Sequence, residues 1–412
     1  MKVYAIPRGI IYHRIRDEAL LLMKSLFAKV DDKARIETFQ KNFAEYMGAK
    51  FCLAYPYART AIYYTLKSLN LPKGAEVLMP PITIKAILDV VLELNLKPVF
   101  VDIELNSLCF EHEKLVLATS NKTKVAIITY LFGMVPDVER MIEFLKSKEI
   151  FVIEDFSQCL DGRFDGKKLG TFGDVGIYSA SSIKTLDTFG GGILICDQED
   201  FYNKLKAEFK TLLPPKRSLL IKKIIVNLIR NIATSRKIFH FLVFPILKFA
   251  SFFYPQAVIK HTGMRDKNRI TELPQSWFAS YTSLQADFGN NQLTKVEKEN
   301  LERISNVERI KSHAPHLFFP DGEKKGYNVY WQLIGVFKKN DETQRKLQRN
   351  GIDTSSTSLE LISKLKSYPN QGLTPNAEKL YFNGLFIPSF PGLSHQDVEY
   401  IGLTLNKLED EC

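Results

Sequence analysis

The chain has 412 residues, 45% hydrophobic and 25% charged, enough apolar material for two or three packed units at ~150 residues each. This composition excludes collagen-like, coiled-coil, disulfide-knot and disordered chains. The net charge is +10, yet residues 209–265 hold eleven basic side chains and no Asp or Glu, so the remainder sums to −1. The basicity belongs to one segment, and nucleic-acid binding by the whole chain is not expected.

Five cysteines stand at 52, 109, 159, 196 and 412 with no CxxC, so neither a zinc site nor a disulfide framework is expected and a reducing cytoplasm fits. The seven histidines form no HxH or HxxxH pair, and no metal is expected. The N-terminus lacks the apolar core of a secretory signal.

In chain order, an N-terminal arm leads into a helix over 34–47. Strand and helix signals then alternate. Strands are expected at 51–55, 76–79, 98–103, 125–130, 151–153, 174–180 and 192–196. Helices are expected at 60–69, 83–94 and 138–148. In the last of these Val138, Met141, Ile142 and Leu145 recur at helical spacing. This alternation predicts an α/β fold with a mostly parallel sheet. Beyond the basic segment, 280–306 reads as one long helix. A strand at 329–336 and helices at 341–350 and 394–408 follow. Tyr330 and Trp331, in the strand of that last part, read as core in preference to a substrate platform.

The informative stretch is 151–194, FVIEDFSQCLDGRFDGKKLGTFGDVGIYSASSIKTLDTFGGGIL. An apolar strand delivers Asp155 at its carboxyl end, and Gln158 follows. A second strand ends at Ser179, then come Lys184 in a Ser/Thr-rich turn and three glycines. Ligands of α/β sheets bind beyond the carboxyl ends of strands. An acid and a lysine at that edge suit a pyridine ring held between them. Pyridoxal phosphate requires a lysine for its aldehyde and a carboxylate for its ring nitrogen. Taken singly, the acid reads as a loop cap, the lysine as solvated and the glycines as a tight loop. The ordered set carries the specificity.

On these residues the chain resembles the DegT/DnrJ-type sugar aminotransferases, pyridoxal-phosphate enzymes of fold type I. The resemblance rests on Glu154-Asp155, Gln158, Gly173-Asp174, Tyr178-Ser179, Lys184 and Gly190 to Gly192. The segments FQKNFAEYMGAKFCLAYPYARTAIYYTL, KGAEVLMPPITIKA, LKPVFVDIE, TYLFGMVPDVERM and AEKLYFNGLFIPSFPGL extend it over 1–208 and 272–412. It implies an aspartate-aminotransferase-like large domain with a seven-stranded sheet, a smaller C-terminal α/β domain, and a homodimer. The implied divisions are an arm at 1–30, a cofactor-binding domain at 31–208, an insertion at 209–268, a linking helix at 269–306 and a small domain at 307–412.

The implied reaction moves an amino group from an amino acid, with glutamate expected, to a nucleotide- or lipid-linked keto-sugar. Lys184 would hold the cofactor and shuttle the proton, and Asp155 would pair with the pyridinium nitrogen. Gln158 would approach the ring hydroxyl, and Ser179 and Thr60 would bind the phosphate. Arg59 either reaches that phosphate or faces solvent. Ile84 stands where an aromatic ring commonly stacks on the cofactor. Other departures are Tyr130 for a histidine, residues 278–280 for an Asn-Tyr-Arg, and residues 353–357 for a substrate-facing His-Tyr. Alternatives are a pyridoxal-phosphate sugar dehydratase or other lyase, and a non-catalytic binding protein. Dehydratase relatives carry His in place of the lysine, so Lys184 favours transamination.

The basic segment is an insertion of about fifty residues relative to that family. Over 219–232 basic residues alternate with Ile, Leu and Val at helical spacing, and 238–254 is nearly all apolar and rich in Phe. Spanning a membrane takes ~20 apolar residues, and this run is shorter and holds His240, Pro245 and Lys248. Two readings remain. One is a subdomain packed on the fold or on a dimer partner. The other is an in-plane element, within 216–262, that binds an anionic membrane at the cytoplasmic face.

Overall fold

The computed structural model describes residues 4–253, 272–365 and 372–408. The insertion beyond 253 therefore lies outside the described residues, as does Cys412. Seven strands form the central sheet: β1 (Phe51–Tyr55), β2 (Glu76–Met79), β3 (Lys97–Phe100), β4 (Thr123–Thr129), β5 (Phe151–Asp155), β6 (Val175–Ser179) and β7 (Gly192–Cys196). Their order is β1-β7-β6-β5-β4-β2-β3. Only β7 runs antiparallel to its neighbours, and the expected mostly parallel α/β sheet is observed.

The strands are apolar on both faces because helices cover both. Ala126, Ile128 and Val152 join Phe39, Phe43 and Leu145 on one side. Val125, Ile127 and Ile153 alternate with them and join Ile62, Val90 and Leu194 on the other. Helix α1 (Ile15–Phe27) and α2 (Lys33–Met47) precede the sheet, and α3 (Ala58–Ser68) follows β1 directly. Gly48 ends α2 in the left-handed conformation, φ 75°. The C-terminal part has its own apolar cluster, and the N-terminal arm joins it there. Ile6 bridges to Ile352, and Arg8 grips Asp353 with two bonds of 2.7 Å.

Two expectations need correction. The helix expected over 280–306 is two helices. A capping box between Thr282 and Gln285 starts the first at Ser283, and it ends at Leu293. There Thr294 bonds back to the Asn291 carbonyl, and a second helix, Val296–His313, carries on. The strand expected over 329–336 covers only Leu333–Val336, paired with Gly384–Ile387. Tyr330 adopts φ 43°, which turns the chain before the strand can begin.

The described part of the insertion is helical. Helix α4 (Arg217–Thr234) leads through a short turn and a wide π segment, Phe239–Val243, into α5 (Phe244–Phe253). No helix among the described residues is long and apolar enough to cross a membrane. Helix α4 packs along α1 and carries polar side chains inward. Asn231 donates to the His13 carbonyl and to Glu18, and Asn227 donates to Asp187.

His13 is at the centre of this join. Its ring lies 3.1 Å from Glu18 Oε1 and 2.9 Å from the Asp187 carbonyl. Burial pulls its pKa down, but the Asp187 and Glu18 carboxylates outweigh burial and raise it above 6.5. A raised folded value contributes stability fully below the unfolded pKa and loses it as pH rises through the folded one. The urea midpoint is therefore expected to fall as pH rises above 6.5. His13→Gln should flatten that slope, and an unchanged slope in the variant would refute the assignment.

Candidate active site

The carboxyl ends of β4, β5 and β6, the start of β7 and the end of β1 meet at one edge of the sheet. Asp155 is the last residue of β5 and Ser179 the last of β6. Between Ser179 and Gly192 the chain makes a tight loop containing Lys184. Ile183, Phe189, Gly190 and Gly191 all take positive φ there. For a β-branched residue such as Ile183, at 69°, that is strained backbone, and it stands directly before the lysine. The Trp331 indole N–H donates to the Ile183 carbonyl at 2.9 Å and holds the turn.

Lys184 is 7% exposed. Its Nζ lies 3.8 Å from the centre of the Trp331 ring. Burial lowers its pKa from 10.5 to about 8, against an upward pull from Asp155. Asp155 is buried too. Burial raises its pKa, partly offset by a 3.0 Å bond from the Ser157 N–H and by Lys184. The two form no ion pair, yet each feels the other's charge, so an acid and an amine lie near one another unjoined. This arrangement suits a ring that gives the acid a cationic N–H and the amine a carbonyl carbon. The residues fit pyridoxal phosphate.

Gln158 is buried, and its Oε1 accepts the Phe132 N–H at 2.8 Å, leaving the amide nitrogen as its group for a ligand. Tyr130, at the expected histidine position, is fully buried and donates to Glu154 at 2.5 Å. Glu154 also accepts the N–H groups of Gly170, Phe172 and Gly173. Burial raises its pKa even so. Glu154 thus anchors the strand edge and does not face the ligand space. Ile84 starts the helix after β2 and is 47% exposed.

Of the expected phosphate ligands, Ser179 has its Oγ 3.0 Å from Ser181 Oγ. Thr60 is placed differently: its hydroxyl donates to the Trp277 carbonyl at 2.7 Å, so its proton does not point to a phosphate. Arg59 is not solvent-facing. Its guanidinium lies 4.0 Å from the Tyr57 ring centre and 4.2 Å from that of Trp277. Burial lowers its pKa to about 10, and its Nε has no partner. Tyr57 precedes α3 without a side-chain cap. Gly192 permits the close approach, since a Cβ there would lie 2.2 Å from the Tyr57 carbonyl carbon.

A cavity of about 500 Å³ opens beside Ile183 and Trp331. Arg8, Arg230, Ser355 and Ser356 line it too, so the arm, the insertion and the rewritten 353–357 segment all reach the mouth. Trp331 reads from the sequence as core in preference to a platform at the site. It is buried, and it also packs on Lys184. The local sequence around Tyr330-Trp331 carries no mark of the turn at Tyr330 that brings the ring to Lys184.

A profile of the DegT/DnrJ/EryC1/StrS aminotransferase family matches residues 20–212 and 256–406, flanking the described insertion helices. The chain is similar to the GDP-perosamine synthase of Escherichia coli O157:H7, 22% identical over 378 residues, covering 90% of this chain and 89% of the relative. It is also similar to the GDP-4-keto-6-deoxy-D-mannose 3-dehydratase of Yersinia pseudotuberculosis, 29% identical over 177 residues, 41% of this chain and 45% of the relative. The fold matches the aminotransferase from Psychrobacter cryohalolentis with a TM-score of 0.74 and 19% identity, over 97% of this chain and 98% of that one. With the profile spanning most of its length on both sides of the insertion, the chain belongs to the DegT/DnrJ/EryC1/StrS aminotransferase family, enzymes that work with pyridoxal phosphate.

Proposed function

We propose that the protein moves the amino group of glutamate to the carbonyl carbon of a nucleotide- or lipid-linked keto-sugar. The observation that carries this reading is the Lys184 amine, buried, unpaired and lowered to about 8, opposite the Asp155 carboxylate. An amine with that pKa takes and returns a proton near neutrality. Bound between the two, pyridoxal phosphate supplies the electron sink. Asp155 holds the ring nitrogen protonated, and Gln158 offers an amide N–H to the ring hydroxyl. Lys184 carries the proton at the donor's α-carbon.

The serine hydroxyls of the mouth suit a hydroxyl-rich acceptor, and Arg230 suits its phosphate or the donor's carboxylate. The GDP-perosamine synthase likeness supports a sugar acceptor. Glutamate added to the holoprotein should yield 2-oxoglutarate and bleach the visible cofactor band. No keto acid from glutamate or any other amino acid would refute transamination. The reading includes a homodimer, and sedimentation showing a cofactor-loaded monomer would refute that part.

A second reading concerns where the enzyme works, and one observation favours it. Leu242, Ile246, Phe249 and Phe253 follow one another at helical spacing, each more than half exposed, in a segment with no acidic residue. We infer that this stripe enters an anionic lipid surface, with basic residues adding roughly 1 kcal/mol each. Helix α4 lines the active site, so removing the whole insertion would damage catalysis as well. The stripe itself is the proper target. Intact protein should float with phosphatidylglycerol vesicles and not with phosphatidylcholine. The triple change Leu242→Ser, Ile246→Ser, Phe249→Ser should abolish flotation, and equal flotation of both proteins would refute the surface.

A further inference from the structure

The insertion helix α4 brings one lysine back to the sheet edge. Lys223 Nζ lies 4.4 Å from the centre of the Tyr57 ring, the same ring that Arg59 covers at 4.0 Å. It also sits on the glycine loop: a Cβ on Gly190 would lie 2.5 Å from that nitrogen. The absence of a side chain at Gly190 is therefore what lets Lys223 reach in.

Two cations share one aromatic ring, and neither has a carboxylate partner among the described residues. Like charges drawn together in a half-buried place are unfavourable unless an anion joins them. The surroundings lack one. Tyr57 caps α3 with no side-chain acceptor, Arg59 Nε is buried without a partner, and the Thr60 proton is directed to Trp277. The start of α3 adds the positive end of a helix, and Ser179 and Ser181 add two hydroxyls at the same edge. A phosphate monoester carries about −1.5 to −2 charges near neutrality, which matches two cations and a helix start.

We propose that Lys223 is a ligand of the cofactor's phosphate, so that the insertion completes the phosphate cup within a single chain. The inference rests on the pyridoxal-phosphate reading of Lys184 and Asp155. The helix that carries Lys223 is fixed, not a loose arm. Asn227, one turn on, accepts from Ser182 and donates to Asp187. Arg217 donates to the carbonyls of Ser25 and Ala28.

The test uses the full chain freed of cofactor, titrated separately with pyridoxal phosphate and with pyridoxal, which lacks the phosphate. Lys223→Met should weaken pyridoxal phosphate by about tenfold or more, the scale of a charge-assisted bond, and leave pyridoxal within twofold. Lys223→Arg should restore most of the loss. Lys222→Met, the exposed neighbour on the same helix, should change neither. Because both ligands are read on the same folded sample, the ratio separates a phosphate contact from general loosening. Equal affinity of Lys223→Met and wild type for pyridoxal phosphate would overturn the inference, and so would an equal loss for both ligands. Wild-type protein that takes up neither ligand would overturn the cofactor reading along with it, and is distinguished by appearing before any substitution.

Discussion

Lys184→Ala is expected to lower transamination by at least ~10³-fold and to end borohydride fixation of the cofactor to the protein. Two lysines are buried among the described residues, and their surroundings separate their roles. Lys85 is paired with Asp89 at 2.5 Å and serves its helix. Lys184 has no ion pair, a tryptophan face at 3.8 Å and a pKa of about 8. Only a neutral amine attacks an aldehyde, so cofactor uptake by the free protein should quicken as pH rises towards 8 and level off above it. Peptide mapping after reduction checks the assignment. A reducible adduct persisting in Lys184→Ala would show that another amine holds the cofactor.

Glu154→Ala is expected to cost the largest amount of stability of any single change at the sheet edge. Its carboxylate accepts from the Tyr130 hydroxyl and from three backbone N–H groups, all inside the protein. Removing it strands four donors, each worth about 1–3 kcal/mol when buried and unsatisfied, so a loss of ~3 kcal/mol or more is expected. Denaturant melts measure it. A loss under ~1 kcal/mol would mean that water replaces the carboxylate. Cofactor binding should weaken too, because Asp155 is the next residue on the same strand.

The parts of the site that lie close in sequence could be read from it. Asp155, Gln158, Ser179 and Lys184 sit within thirty residues of each other, and two adjacent strand ends bring them together. Local order therefore carries the information. Trp331 reaches the same loop across 148 positions, and nothing in residues 329–332 marks the turn that sends its ring inward. The insertion shows the same limit. Its missing acids and apolar runs are plain, but its inward face mixes Leu220 and Ile224 with Asn227, Asn231 and Lys223, and those polar residues equally suit a solvated surface. The Thr60 hydroxyl shows it again, since its partner, the Trp277 carbonyl, is 217 positions away.

The seam around His13 also bears on how the chain is made. His13 bonds to Asp187 across 174 positions and to Asn231 across 218, while Arg8 meets Asp353 across 345. On a ribosome the arm emerges well before any of these partners. The arm must wait unpaired, its apolar Ile6, Ile10 and Ile11 in water, until the insertion helix and then the C-terminal part have been synthesised. Contacts so distant are slow to close, and an exposed waiting segment invites chaperones or aggregation. A bulky amino-terminal fusion would hinder this final docking and leave the Lys184 loop without its outer support, whereas a carboxy-terminal fusion leaves the arm free to dock.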